Sequence, residues 1–150
     1  MLISFCLAAT LLAIAVTDIR VRRIPDILSL PLIMGGLALA AWDVHSGAPL
    51  QVLGNRAIGA ASGYLIFATI GGVFFRLRGQ EGLGLGDAKL LAAAGAWLGW
   101  QMLPVLVLIA ALGGLTQVAV QTLLSRKTDG TLAFGPWLVA SFFLLWVIGG

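Results

Sequence analysis

Six apolar stretches run through this chain: Leu2–Thr17, Ile27–Trp42, Ala57–Phe75, Leu90–Leu103, Val105–Leu124 and Leu132–Ile148. A soluble domain of 150 residues has no polar surface large enough to cover them. Hydrophobic residues make up 60% of the chain and charged residues only 10%, where a soluble domain carries about 25% charged. The chain belongs in a bilayer. There each backbone N–H and C=O must find its partner within the protein, which leaves helices as the reading for such runs. Leu90–Leu124 could be one long kinked helix, but two spans are the better reading, since 35 residues at about 1.5 Å each exceed a bilayer of about 30 Å. A turn near Gly99–Pro104 resolves it. The expected fold is an all-α polytopic membrane bundle of about six helices, forming one domain over 1–150.

Charge placement agrees with that count. Of nine Lys and Arg residues, Arg20, Arg22, Arg23, Arg76, Arg78, Lys89, Arg126 and Lys127 fall in or beside loops one, three and five, and only Arg56 falls in loop two. By the positive-inside rule the odd loops face the cytoplasm. The net charge of +3 is therefore a topology signal, and nucleic acid is not an expected partner. Residues 2–17 lack the basic n-region and cleavage site of a signal peptide. The single cysteine, Cys6, has no partner for an intramolecular disulfide and reads as a packing residue. Small-residue spacings (Gly59/Gly63, Ala92/Ala96, Gly95/Gly99) favour close helix contact in lipid.

Only six carboxylates exist. Asp129 lies in a Lys-Thr-Asp-Gly turn, Glu81 in a glycine-rich loop, and Asp43 with His45 in the second loop. His45 stands alone without ligand spacing, so no metal site is expected. Asp26, after Ile24-Pro25, suits the N-cap of the second span. Asp18 is harder to explain as structure. It closes the first span, where the helix dipole disfavours an anion, and an i,i+4 pair with Arg22 contributes only about 0.3–0.5 kcal/mol. Asp87 could cap the fourth span, yet a cap does not require Gly82, Gly84 and Gly86 before it. Those glycines admit close backbone approach, but without Gly-Lys-Ser/Thr or GxGxxG spacing they do not make a nucleotide loop. Both aspartates fall on the cytoplasmic side of this topology. If they converge, one keeps a proton while the other stays anionic, which suits peptide hydrolysis without a metal.

Gly84-Leu85-Gly86-Asp87 followed by Ala88-Lys89-Leu90-Leu91 resembles the GxGD-x-KLL block of the type IV prepilin leader peptidases, which are membrane aspartyl proteases. Asp18-Ile-Arg-Val-Arg-Arg-Ile-Pro-Asp26 is similar to that family's first block, and Ala96-Trp97-Leu98-Gly99 and Phe134-Gly135-Pro136 resemble two more. Ala133 stands where the family often has proline. The resemblance implies that Asp18 and Asp87 are the catalytic pair. It also implies that Gly84, Gly86, Lys89, Pro25, Asp26, Gly135 and Pro136 form the active-site loop or bind substrate. It implies six spans, no cofactor, prepilin or pseudopilin precursors as partners beside the lipid bilayer, and residence in the bacterial inner membrane with the site facing the cytoplasm. Because the chain starts at the first span and has one cysteine, it resembles the short members without the paired CxxC domain, which argues against N-methyltransferase activity. Two other classes stay open on the residues alone. One is a small proton-coupled transporter, which would place acids at mid-span; the other is an assembly subunit without chemistry.

Overall fold

A computed structural model describes residues 2–21, 26–78, 84–124 and 134–149. Among these, six α-helices follow one another: α1 (Leu2–Val21), α2 (Asp26–His45), α3 (Gln51–Arg78), α4 (Leu85–Leu98), α5 (Leu103–Leu123) and α6 (Gly135–Gly149). A single 3-10 turn, Trp100–Met102, joins α4 to α5. The expected helical bundle is present. By length and composition α2, α3 and the segment Trp100–Leu123 can each cross a membrane, while Ile3–Asp18 and α6 are shorter apolar helices. The turn predicted near Gly99–Pro104 is there too. Gly99 adopts φ 83° and ψ 166°, a region in which a side chain is strained. Pro104 then sits in the first turn of α5, where its missing N–H costs nothing.

Several boundaries differ from expectation. Helix α3 begins at Gln51 rather than near Ala57, so Arg56 lies inside it and pairs with Asp43 at 3.3 Å. Asp43 and His45 occupy the last turn of α2, not the loop. Helix α4 begins at Leu85, five residues ahead of the apolar run, because Gly86 and Asp87 are already helical.

Helix α4 is the centre of the bundle. It packs against α2, α3, α5 and α6, and each residue from Leu90 to Trp97 is buried. Its alanines and glycine make this possible by giving the neighbouring backbones room. A Cβ on Gly59 of α3 would come within 2.6 Å of the Gly95 carbonyl oxygen, and one on Gly63 within 2.7 Å of the Leu91 oxygen. The sequence spacing of small residues thus marks a real backbone-to-backbone contact, here between α3 and α4.

Tryptophans tie this core to its surroundings. Trp97 Nε1 of α4 donates to the Leu32 carbonyl of α2 at 2.7 Å, and Trp137 Nε1 of α6 donates to Gln117 Oε1 of α5 at 2.6 Å. Trp146 Nε1 of α6 reaches Ser4 Oγ of α1 at 3.3 Å. Trp97 and Trp146 also meet edge to face, with ring centroids 5.2 Å apart. In a lipid environment an indole N–H left unpaired would be costly, so these bonds fix which helix faces which.

Candidate active site

The two sequence-predicted aspartates lie within electrostatic range of each other, Asp18 at the C-terminal end of α1 and Asp87 at the N-terminal end of α4. Asp18 lies in the last turn of α1, three residues before the helix ends at Val21, and only 8% of it is exposed. It is held there by the start of α6. The Gly135 backbone N–H donates to the Asp18 carboxylate. A Cβ placed on Gly135 would stand 2.8 Å from Asp18 Cγ and closer still to Oδ2. Gly135 is therefore a residue whose missing side chain makes the contact possible. Pro136 follows it inside the first turn of α6, where proline is tolerated.

Asp87 arrives from the other side. The N-cap of α4 is Gly84, in extended conformation and without a side-chain cap. Asp87 is thus the third residue of the helix rather than its cap, and its carboxylate accepts the Gly84 backbone N–H. That is half of a capping box, with the first-turn acid reaching back to the entering amide. The carboxylate is half-buried and lies within electrostatic range of Asp18. Gly86 is in the first turn between them in sequence, and Gly84 is exposed.

Asp26 and Lys89 complete this end. Lys89 Nζ donates to Asp26 Oδ1, joining the first turn of α2 to α4. Asp26 is the first residue of α2, so its contribution is this ion pair as well as negative charge at a helix start. Sequence reasoning named both residues but not their pairing, and no local signal could have shown a partner 63 positions away. It also missed Phe67 of α3, whose ring sits 6.5 Å from that of Phe134 beside Gly135. Pro25 lies outside the described residues, as do Arg22, Arg23, Glu81, Gly82, Arg126, Lys127, Asp129 and Ala133.

The site thus places two carboxylates from distant parts of the chain near each other, each supplied with a backbone N–H, at the ends of α1 and α4. No group of three or more His, Cys, Asp or Glu residues suited to a metal ion occurs among the described residues.

Comparison with known proteins bears on the same region. The model of the type IV leader peptidase family matches residues 5–118, which include both Asp18 and Asp87. The chain is 46% identical over 142 residues to the prepilin leader peptidase/N-methyltransferase of Dickeya chrysanthemi, covering 92% of this chain and 48% of that one. It is 45% identical over 139 residues to the protein of that name from Escherichia coli (strain K12), covering 89% and 56%. For the namesake from Burkholderia pseudomallei (strain 1026b) the identity is 44% over 140 residues, covering 93% and 44%. The chain spans about half the length of the curated relatives it matches. No solved structure matches it. With the family model covering most of the chain and both aspartates, this protein belongs to the type IV leader peptidase family.

Proposed function

We propose that this protein is a membrane-embedded aspartyl endopeptidase that removes the leader of type IV prepilin or pseudopilin precursors at the cytoplasmic face of the bacterial inner membrane. The observation that supports the reading is that Asp18 and Asp87, at the ends of two apolar helices, lie within electrostatic range of each other. Its relatives are named for this activity. The placement of the basic residues supports the cytoplasmic side.

In the proposed reaction one carboxylate is ionised and the other protonated, because two anions in a site of low polarity repel each other. The anion removes a proton from water as its oxygen attacks the scissile carbonyl carbon. The neutral acid hydrogen-bonds to the carbonyl oxygen and donates its proton as negative charge develops there. Collapse of the tetrahedral intermediate breaks the C–N bond, one of its hydroxyl groups returns a proton to the second carboxylate as the new carbonyl forms, and the amine leaves with the proton that the first carboxylate took from water. The water ends up shared between the new carboxyl and amino termini. A relay for transport would need its acids within the span, whereas these lie in the last turn of α1 and the first turn of α4.

The test is cleavage of a purified prepilin-like precursor by the protein in liposomes. Asp18→Asn and Asp87→Asn should each lower kcat by about a thousandfold, within the usual range for removal of an acid or base. A metal chelator should leave the wild-type rate unchanged. Full activity in either Asn variant would exclude the paired-aspartate reading, and a wild-type protein that leaves the precursor intact would exclude the peptidase reading itself.

A further inference from the structure

Asp87 lies in the first turn of α4, where its own carboxylate accepts the Gly84 N–H. Gly84 offers α4 no side-chain cap, and the bonds that hold it run within the first turn, its carbonyl accepting the Asp87 N–H at 3.0 Å. Ala88 and the residues from Leu90 to Trp97 are buried among the neighbouring helices, whereas Leu85 is exposed and Gly86, Asp87 and Lys89 are only half-buried. One side chain anchors this turn to a neighbouring helix by ionic contact: Lys89 donates to Asp26 at the start of α2.

We propose that the Lys89–Asp26 ion pair is a positioning device, which ties the first turn of α4 to α2 and so fixes the depth and rotation of the Asp87 carboxylate. Helical geometry supports this. Two residues along a helix turn the side chain by about 200°, so Lys89 faces α2 while Asp87 faces the opposite side, toward Asp18. A pull on one side of the turn then sets the aim of the other. The Lys89 ammonium is committed to a carboxylate and its side chain is 25% exposed, while the Asp26 side chain is 60% exposed. The pair therefore stays within reach of water. Such a contact adds little to global stability. It acts on geometry, and a displacement of about 1 Å at a reacting group can cost about a hundredfold in rate. Lys89 is accordingly a positioning residue and makes no contact with the peptide.

The kinetic arm of the test rests on the proposed peptidase activity; a second arm does not. Full-length protein in liposomes is compared as wild type, Asp26→Lys, Lys89→Asp, Lys89→Met and the charge-exchanged D26K/K89D. Each single variant should lose about tenfold in kcat with KM within about twofold, and the exchanged pair should recover to within about threefold of wild type. Amide hydrogen exchange over residues 85–89 is measured on the same samples without substrate. It should quicken in the single variants and slow again in the exchanged one. The proposal is overturned if exchange in the single variants matches wild type, or if the exchanged pair does no better than the worse single variant. A rise in KM at constant kcat also overturns it, because that marks Lys89 as a substrate contact. Should the wild-type protein fail to cleave at all, the peptidase reading falls and the exchange arm decides the tether alone.

Discussion

At the scale of single residues, the site depends as much on an absent side chain as on those present. Gly135 sits against the Asp18 carboxylate so closely that a methyl group has no space. Gly135→Ala should therefore push Asp18 aside and remove the amide contact, lowering kcat by about a hundredfold with little change in KM. Steady-state cleavage kinetics check this, and a wild-type kcat would show that Asp18 tolerates displacement. The sequence singled out Asp18 and Asp87 as candidates, because a carboxylate beside an apolar run has a cost that composition alone makes visible. It did not reveal that the glycine of Phe134-Gly135-Pro136 would be the residue touching Asp18. That contact joins chain ends 117 positions apart, Asp18 and Gly135, and leaves no periodic trace.

At the scale of helices, the apolar runs announced six elements, and the described residues contain six α-helices. What they hid were the ends. The stretch from Gln51 to Arg56 reads as a loop, yet it belongs to α3, and Arg56 pairs with Asp43 across the turn. Glycines 84 and 86 also read as a loop, yet Gly86 is already helical. Hydropathy finds the buried middle of a helix and is blind to where hydrogen bonding stops. The small-residue spacing was a better guide, since Gly59 and Gly95 do bring two backbones together. Gly95→Val should force α3 and α4 apart. A loss of about 1–3 kcal/mol or more is expected for overpacking a core that meets backbone rather than a flexible side chain. Thermal unfolding in detergent reads it as a lower midpoint, whereas Gly54→Ala, where nothing lies within 4 Å, should leave the midpoint within a degree or two.

At the scale of the whole molecule, the two carboxylates ride on different helices. Asp18 belongs to α1, which packs chiefly on α6, and Asp87 to α4, which packs chiefly on α3 and α2 and also meets α6. The edge-to-face pair of Trp97 and Trp146 lies where α4 and α6 meet. Trp146→Ala removes that ring contact together with the bond to Ser4, and should cost about 2–3 kcal/mol. It should lower kcat as well, since the two halves of the site would no longer be held in register. Trp42→Ala is the control, because Trp42 is 67% exposed and should change neither quantity.

The unequal lengths of α3 and α4 carry one more consequence. Gly59 lies level with Gly95 and Gly63 with Leu91, so each step along α3 is a step back along α4, and Leu85 comes level with Thr69. Helix α3 then runs on from Ile70 to Arg78, about 14 Å at helical rise. Asp87 accordingly lies beside α3 well short of that helix's end. Under the proposed peptidase reading, a substrate segment that reaches Asp87 would do so alongside this projecting stretch of α3.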